Sequence, residues 1–349
     1  MNETILFSLD SKEINFNDIE KVKFSGLGES RDIEGLRSDN NIVNIGKDFK
    51  DFNHTVFIIL DESINFSSHV GIPVNGIIGF HFFKNHPVSI NYLTKKITIF
   101  QDNALFEKKI KRHTEFPITI ESNKPYLMTG VEMTSTRVES KMLIDLGNSD
   151  AVWLFPKLIK EFVYNRPNID DYLGQGFNGD IFGKRSRIHR IYLGDFAFEK
   201  PLTAMPDEYS IQNLKLVPNR KGSIGSDTMR RFEVVFNYPE NKIYLKKNKH
   251  FNDPFLFNKS GLDIRHDGMT WDRDLVTLQT TKNNQVNEGE NVYSAKENFQ
   301  YHFVLKPKYS CRRMQKRSTL ATKPEFGKND KIISNQQEES GRLYFTKNE

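Results

Sequence analysis

The residues best placed to do chemistry lie in the run Met142-Leu143-Ile144-Asp145-Leu146-Gly147-Asn148-Ser149-Asp150. An apolar strand over 142–144 ends on the carboxylate of Asp145 and turns at once through Gly147, which presents an acid at a fixed point of a fold. Taken alone, the same tripeptide is ordinary β-turn vocabulary, because Asp and Gly both suit turn positions. A single carboxylate is also a poor base. Two of them held about 3 Å apart share one proton, so that one stays ionised and takes a proton from water while the other donates a hydrogen bond. Asp145 therefore needs a second acid to become more than a turn residue. Nearby, Asp150 reads as a turn residue and Asp227 as the cap of a short helix after Gly225. The nine His show no His-x-x-x-His spacing and Cys311 is the only cysteine, so the sequence predicts no metal, no cofactor and no internal disulfide.

The elements that must hold Asp145 are β-strands. Short β-branched and aromatic runs recur at 4–9, 21–28, 41–45 and 55–60, and again at 116–120, 126–133 and 142–144. Residues 76–83 read as a glycine turn feeding a short helix, and 87–92 with 96–100 as a hairpin. Residues 103–113 form a basic, helical bridge, and 156–162 suit a short helix with Pro156 in its first turn. The fold class is mainly β.

The second half repeats the first. Gly222-Ser223-Ile224-Gly225 matches Gly76-Ile77-Ile78-Gly79 at an offset of 146, and the same offset pairs Val88 with Val234, Asn91 with Asn237, Tyr92 with Tyr238 and Ile97 with Ile243. Upstream the offset becomes 148, pairing Asp32-Ile33 with Asp180-Ile181, Gly35 with Gly183 and Gly46 with Gly194. Collinear matches of this kind mark an internal duplication covering about 24–100 and 170–246. Thr4-Ile5-Leu6-Phe7 further resembles Ala151-Val152-Trp153-Leu154.

Composition bounds the partners. The 349 residues carry 50 basic and 45 acidic side chains and a net charge of +5, a mixed surface that speaks against nucleic acid. No apolar run approaches the roughly 18 residues of a membrane helix, so no transmembrane segment is expected. The N-terminal residues show no basic segment followed by an apolar core, and hence no visible signal peptide.

The order strand, Asp-x-Gly turn, hairpin, apolar-apolar-Gly, short helix and closing hairpin resembles the bilobal aspartic proteases. It is carried by Leu143-Ile144-Asp145-Leu146-Gly147, Ser223-Ile224-Gly225-Ser226-Asp227 and Ile77-Ile78-Gly79-Phe80. With Arg231-Phe232-Glu233-Val234-Val235-Phe236-Asn237-Tyr238 and Ile243-Tyr244-Leu245, the chain resembles more closely the bacterial retropepsin-like aspartyl proteases that carry a C-terminal PDZ domain. The resemblance implies two duplicated acid-protease-like lobes, 1–102 and 103–265, a linker over 266–298 and a partial PDZ-like segment with tail over 299–349. It implies a polypeptide substrate hydrolysed by aspartate-activated water, with Asp145 catalytic and Leu146, Gly147 and Asn148 completing the catalytic turn. Ile78, Gly79, Ile224 and Gly225 are implied to support the dyad from below, and Gly28 and Gly35 to hinge a flap. The dyad partner of Asp145 is expected just upstream of Met1, since 145 − 146 = −1 and 145 − 148 = −3. Two departures stand out: Leu146 lacks the hydroxyl usual after the aspartate, and Asn148 stands where Ser or Thr is frequent, its amide free to donate to Asp145. They motivate the alternative of an inactive peptide-binding or scaffold protein derived from such a protease. A site shared between two chains, each giving Asp145, ranks behind both. Pro324-Glu325-Phe326-Gly327-Lys328-Asn329-Asp330 resembles the start of a PDZ domain, with Asn329 where that pattern has glycine; as a working module it implies a C-terminal peptide as partner, and the alternative is a vestigial tail. The basic cluster over 306–317 reads as a solvated face or tail. The family resemblance implies a periplasmic or cell-surface location.

Overall fold

A computed structural model describes residues 4–7, 19–24, 26–27, 33–45, 49–59, 74, 76–159, 166–176, 179–212, 214, 216–258, 262–277, 280–282, 285–287, 291–305 and 343–345. The chain separates into two compact units, Met1–Ile64 with Asn75–Lys259, and Asn65–Val74 with Ser260–Glu349. Of the sequence-expected lobes, 1–64, 75–102 and 103–259 fall in the first unit, and 65–74 and 260–265 in the second.

In that unit the chain runs through β1 (Thr4–Phe7), β2 (Ile19–Phe24), β3 (Ile33–Ile45), β4 (Phe49–Ile59), β5 (Gly76–Ile77), α1 (Phe80–Phe83), β6 (Pro87–Asn91), β7 (Lys96–Ile99) and α2 (Asn103–Ile110). It continues with β8 (Thr114–Pro117), β9 (Thr119–Glu121), β10 (Lys124–Glu132), β11 (Arg137–Ile144), β12 (Val152–Leu154), β13 (Ile169–Gly176), β14 (Gly179–Arg187), β15 (Arg190–Leu193), β16 (Phe196–Glu199) and β17 (Leu202–Pro206). The short α3 (Glu208–Ile211), then β18 (Arg220–Ile224), α4 (Ser226–Met229), β19 (Phe232–Asn237) and β20 (Lys242–Lys247) complete it. The fold is mainly β.

Three sheets express the duplication. The first has the order β2-β3-β4-β1-β5, and the second begins with the matching order β13-β14-β17-β12-β18 before adding β11, β10, β15 and β16. The registers agree residue by residue. Leu6 faces Gly76 as Leu154 faces Gly222, offsets of 148 and 146. The alignment of Thr4 is therefore with Val152, one residue beyond the match read from sequence. Val88 faces Ile99 as Val234 faces Leu245, both offset by 146. Gly79 and Gly225 precede α1 and α4 with nearly the same backbone, φ −104° and ψ −169° against φ −98° and ψ −175°.

The third sheet, β7-β6-β19-β20-β8, joins the halves. Its β6 and β19 are equivalent strands paired antiparallel: Pro87 faces Asn237 and Asn91 faces Glu233. Ser89 faces Val235, its own counterpart at offset 146, so a local two-fold axis passes between them. Strand alternation gives this sheet two apolar faces. Val234, Phe236, Ile243 and Leu245 enter the main core with Met142, Ile144, Val152 and Ile224. Val235 and Tyr244 point the other way, onto Phe106 of α2. The Asp102 carboxylate caps that helix, accepting from the Ala104 N–H at 2.7 Å. Each such buried aliphatic or aromatic side chain contributes about 1.5–3 kcal/mol.

Several expectations change. Residues 156–158 form one 3-10 turn, Pro156–Leu158, ending at an extended Ile159. The second unit contains β21 (Leu262–Thr277), β22 (Thr280–Lys282), β23 (Gln285–Asn287), β24 (Asn291–Leu305) and β25 (Leu343–Phe345). Residues 266–298, expected as a linker, belong largely to β21 and β24, which pair antiparallel from Leu262↔Leu305 to Thr277↔Asn291. Polar composition there conceals Thr, Val, Trp and Tyr, residues that favour extended backbone. The PDZ-like motif at 324–330 and the basic cluster at 306–317 lie outside the described residues.

Candidate functional site

Asp145 stands at the end of β11, which is hydrogen-bonded on one side to β10 and on the other, in parallel, to β18. The Asp145 N–H donates to Ile224 O at 2.9 Å, extending the strand one residue before the chain turns. The turn is closed by Asn148 N–H donating to Asp145 O at 3.2 Å. The Asp145 carboxylate accepts from the Gly147 N–H, also at 3.2 Å.

A brace from the β18–α4 junction holds this turn. Ser226 N–H donates to Asn148 O at 2.7 Å, Gly225 N–H to Ala151 O at 3.0 Å, and Thr228 Oγ1 to Ala151 O at 3.0 Å. The approach is so close that a Cβ on Gly225 would lie 2.1 Å from Asp150 O and 2.7 Å from Asn148 O. Ile224 is fully buried and pairs with Ile144 on one side and Val152 on the other, and Gly225 lies directly against the turn that follows Asp145. Gly79 repeats the conformation of Gly225 and is buried. Ile78 departs from expectation: it is 47% exposed, because it lies beyond the end of β5, whose paired neighbour is β1.

The other expected site residues are placed as follows. Leu146 is partly buried and packs its side chain against the main core. Asn148 Oδ1 accepts from the Asp150 N–H at 2.9 Å, which ties this side chain to the turn. Asp227 is a correction, since Gly225 occupies the N-cap without a side-chain cap, and Asp227 in the first turn accepts from Arg230 Nε at 2.7 Å. Gly35 is no hinge. It pairs mid-strand with Val22 and Ile59, and a Cβ there would meet Ile58 O at 2.4 Å. Gly28 lies outside the described residues. The β2–β3 hairpin itself is present. Leu27 near its tip packs on Trp153, Phe155, Leu173, Ile181 and Ala204, and the Leu27 carbonyl lies against Gly176 at the end of β13.

Sequence reading missed two groups of charges. Arg185 donates from Nε to Asp171 Oδ2 at 2.6 Å and pairs through Nη1 with Asp150 Oδ1, while Trp153 Nε1 donates to Asp150 Oδ2 at 2.7 Å. The signal was available: Arg185 continues the buried alternation of Ile181 and Gly183, and a cation on an inward position calls for an internal acid. The second group is Lys124 and Arg220. Burial is the main influence that pulls both below their usual values, and Asp145 partly opposes it in each case. The β10–β11 register, in which Tyr126 faces Leu143, carried two residues further sets Lys124 opposite Asp145. Among the described residues there is no cluster of three or more His, Cys, Asp or Glu suited to a metal. No described helix is long and apolar enough to cross a membrane.

No protein-family model and no curated protein matches the chain. Among solved structures, it is similar to basic 7S globulin from soybean, with 12% sequence identity and a TM-score of 0.27 over 52% of this chain. The match spans 58% of that structure's chain, a little over half its length.

Proposed function

We propose that this protein is built as an aspartic-type peptidase, acting on polypeptides, with Asp145 as one of the two carboxylates such hydrolysis requires. The observation that supports it best is the combination of a two-fold-related duplication with an acid delivered at the end of β11 onto the β18–α4 junction. In a two-carboxylate site the ionised acid takes a proton from water and the protonated one hydrogen-bonds the scissile carbonyl. The Asp145 turn is suited to the first part of this, since its carboxylate is held by the Gly147 N–H and its backbone is fixed by β18.

A second reading is a protein that binds peptides without cleaving them. It is favoured by Leu146, whose side chain serves the core and supplies no hydroxyl to brace a partner turn. One experiment separates the two. Protein made from its entire open reading frame is assayed for peptide cleavage in mild acid, with and without pepstatin and as Asp145→Asn. Cleavage that pepstatin blocks and Asp145→Asn abolishes is the expected result. Peptide binding with no cleavage assigns the binding reading, and cleavage indifferent to Asp145→Asn overturns the role of Asp145.

A further inference from the structure

Arg220 is 8% exposed, and its guanidinium lies over the Phe155 ring with 5.1 Å from Cζ to the centroid. Its Nε donates to Gly222 O at 3.1 Å. Lys124 is half-buried at the start of β10. Among the described residues, neither cation has a carboxylate within ion-pair distance. The third nearby cation, Lys141, is already matched, since its Nζ pairs with Glu121. Lys124 and Arg220 interact electrostatically with each other and with Asp145. Two cations against one carboxylate leave one positive charge unbalanced. An uncompensated buried cation is costly, so a site that keeps one is suited to receive an anion.

The alternation of β10 and β11 carries the argument further. Lys124 and Tyr126 lie on one face of β10, and Asp145 and Leu143 on the same face of the neighbouring strand. Tyr126 and Leu143 are both buried on that face. Lys124 is thus set against an apolar floor next to the candidate catalytic acid, and Arg220 stands on the adjoining strand β18, opposite Lys141 and four residues short of Asp145, with its long side chain over Phe155. We infer that Lys124 and Arg220 form a carboxylate-binding subsite beside Asp145, which takes an acidic side chain or the C-terminal carboxylate of a bound peptide. The inference rests on the proposed peptide-directed role of Asp145 and names its substrate class. A planar guanidinium suits two-point contact with a carboxylate, while the ammonium adds a point charge.

The test uses randomised peptide pools made in four forms, with Glu or with Gln at the acidic positions and with free or amidated C-termini. Binding and cleavage are both measured on the wild type and on Lys124→Gln and Arg220→Gln, each checked for native circular dichroism. The expected result is a preference of about tenfold or more for one carboxylate-bearing form over its neutral partner, reduced by a similar factor in Lys124→Gln. Glu-dependence identifies a side-chain ligand, and dependence on the free terminus identifies a C-terminal one. Because Arg220 is buried and its variant can fail to fold, folded Lys124→Gln decides the matter. A wild type indifferent to all four forms, or a folded Lys124→Gln with undiminished preference, overturns the subsite. Carboxylate-dependent binding without cleavage upholds the subsite while the peptidase reading falls. Asp145-dependent cleavage indifferent to carboxylates does the reverse.

Discussion

Gly225→Ala should cost far more stability than Gly147→Ala, although Gly147 is the glycine of the Asp-x-Gly turn. A Cβ at 225 would sit 2.1 Å from Asp150 O and 2.7 Å from Asn148 O, where about 3.0 Å is the closest real approach. The Asp150 carbonyl must therefore retreat by 0.9 Å (3.0 − 2.1) and the Asn148 carbonyl by 0.3 Å (3.0 − 2.7). Neither is a flexible side-chain end. Asn148 O accepts the Ser226 N–H at 2.7 Å and Asp150 O the Asp227 N–H at 3.4 Å, so the retreat stretches both bonds. Overpacking costs about 1–3 kcal/mol, and each lost hydrogen bond about 1 kcal/mol. Losing one or both gives a total of about 2–5 kcal/mol. At 147 the nearest atom to an added Cβ is Asp145 Oδ1 at 3.5 Å, ordinary contact, and the backbone is not left-handed. The expected cost there is under about 0.5 kcal/mol. Urea unfolding of the wild type and both variants, followed by far-ultraviolet circular dichroism, measures the difference. Equal midpoints for Gly225→Ala and the wild type would refute the brace, and so would a Gly147→Ala as costly as Gly225→Ala.

Two further outcomes are expected. Arg185→Met leaves the carboxylates of Asp150 and Asp171 buried without their guanidinium and should cost about 3–5 kcal/mol in the same unfolding assay, a loss that adding Asp150→Asn partly recovers. Acid should destabilise the fold in two stages. Burial is the main influence on His113 and holds its imidazole below 6.5. For Glu233, burial works upward, but Lys109, Asn91 and His113 together outweigh it and hold the carboxyl below 4.5. At both sites the folded protein binds fewer protons than the unfolded chain. Stability is therefore complete above the unfolded values and falls as pH drops, first below 6.5 and then from 4.5 down through the folded value of Glu233. Melting temperatures across this range should show both losses, and Glu233→Gln should flatten the lower one. An unchanged acid limb in that variant would remove Glu233 as its cause.

What was legible in the sequence was local or periodic. The hairpin around Leu93–Lys95 and the glycine turns before α1 and α4 follow from short-range chemistry, and a constant offset needs no three-dimensional knowledge. The strands at 262–277 and 291–305 were obscured because their polar residues outnumber the β-formers between them. Gly35 looked like a hinge because a glycine in sequence marks either a turn or a close approach of backbones, and only the neighbouring Ile58 carbonyl decides which. The placing of Lys124 on the strand beside Asp145 was invisible for a different reason. It depends on the register of β10 and β11, which the four residues between Glu132 and Arg137 set. The same holds for Arg185, whose partners come from β13 and the loop before β12.

The facing of Ser89 and Val235 bears on how such a molecule can change. Where two identical chains pair across a symmetry axis, a residue on the axis meets its own copy, and every substitution lands twice. In this single chain the axial partners already differ, a hydroxyl against an isopropyl group. Each half is thus released from the obligation to mirror the other. That freedom allows Leu146 to be committed to the core of one half with no matching concession required across the axis.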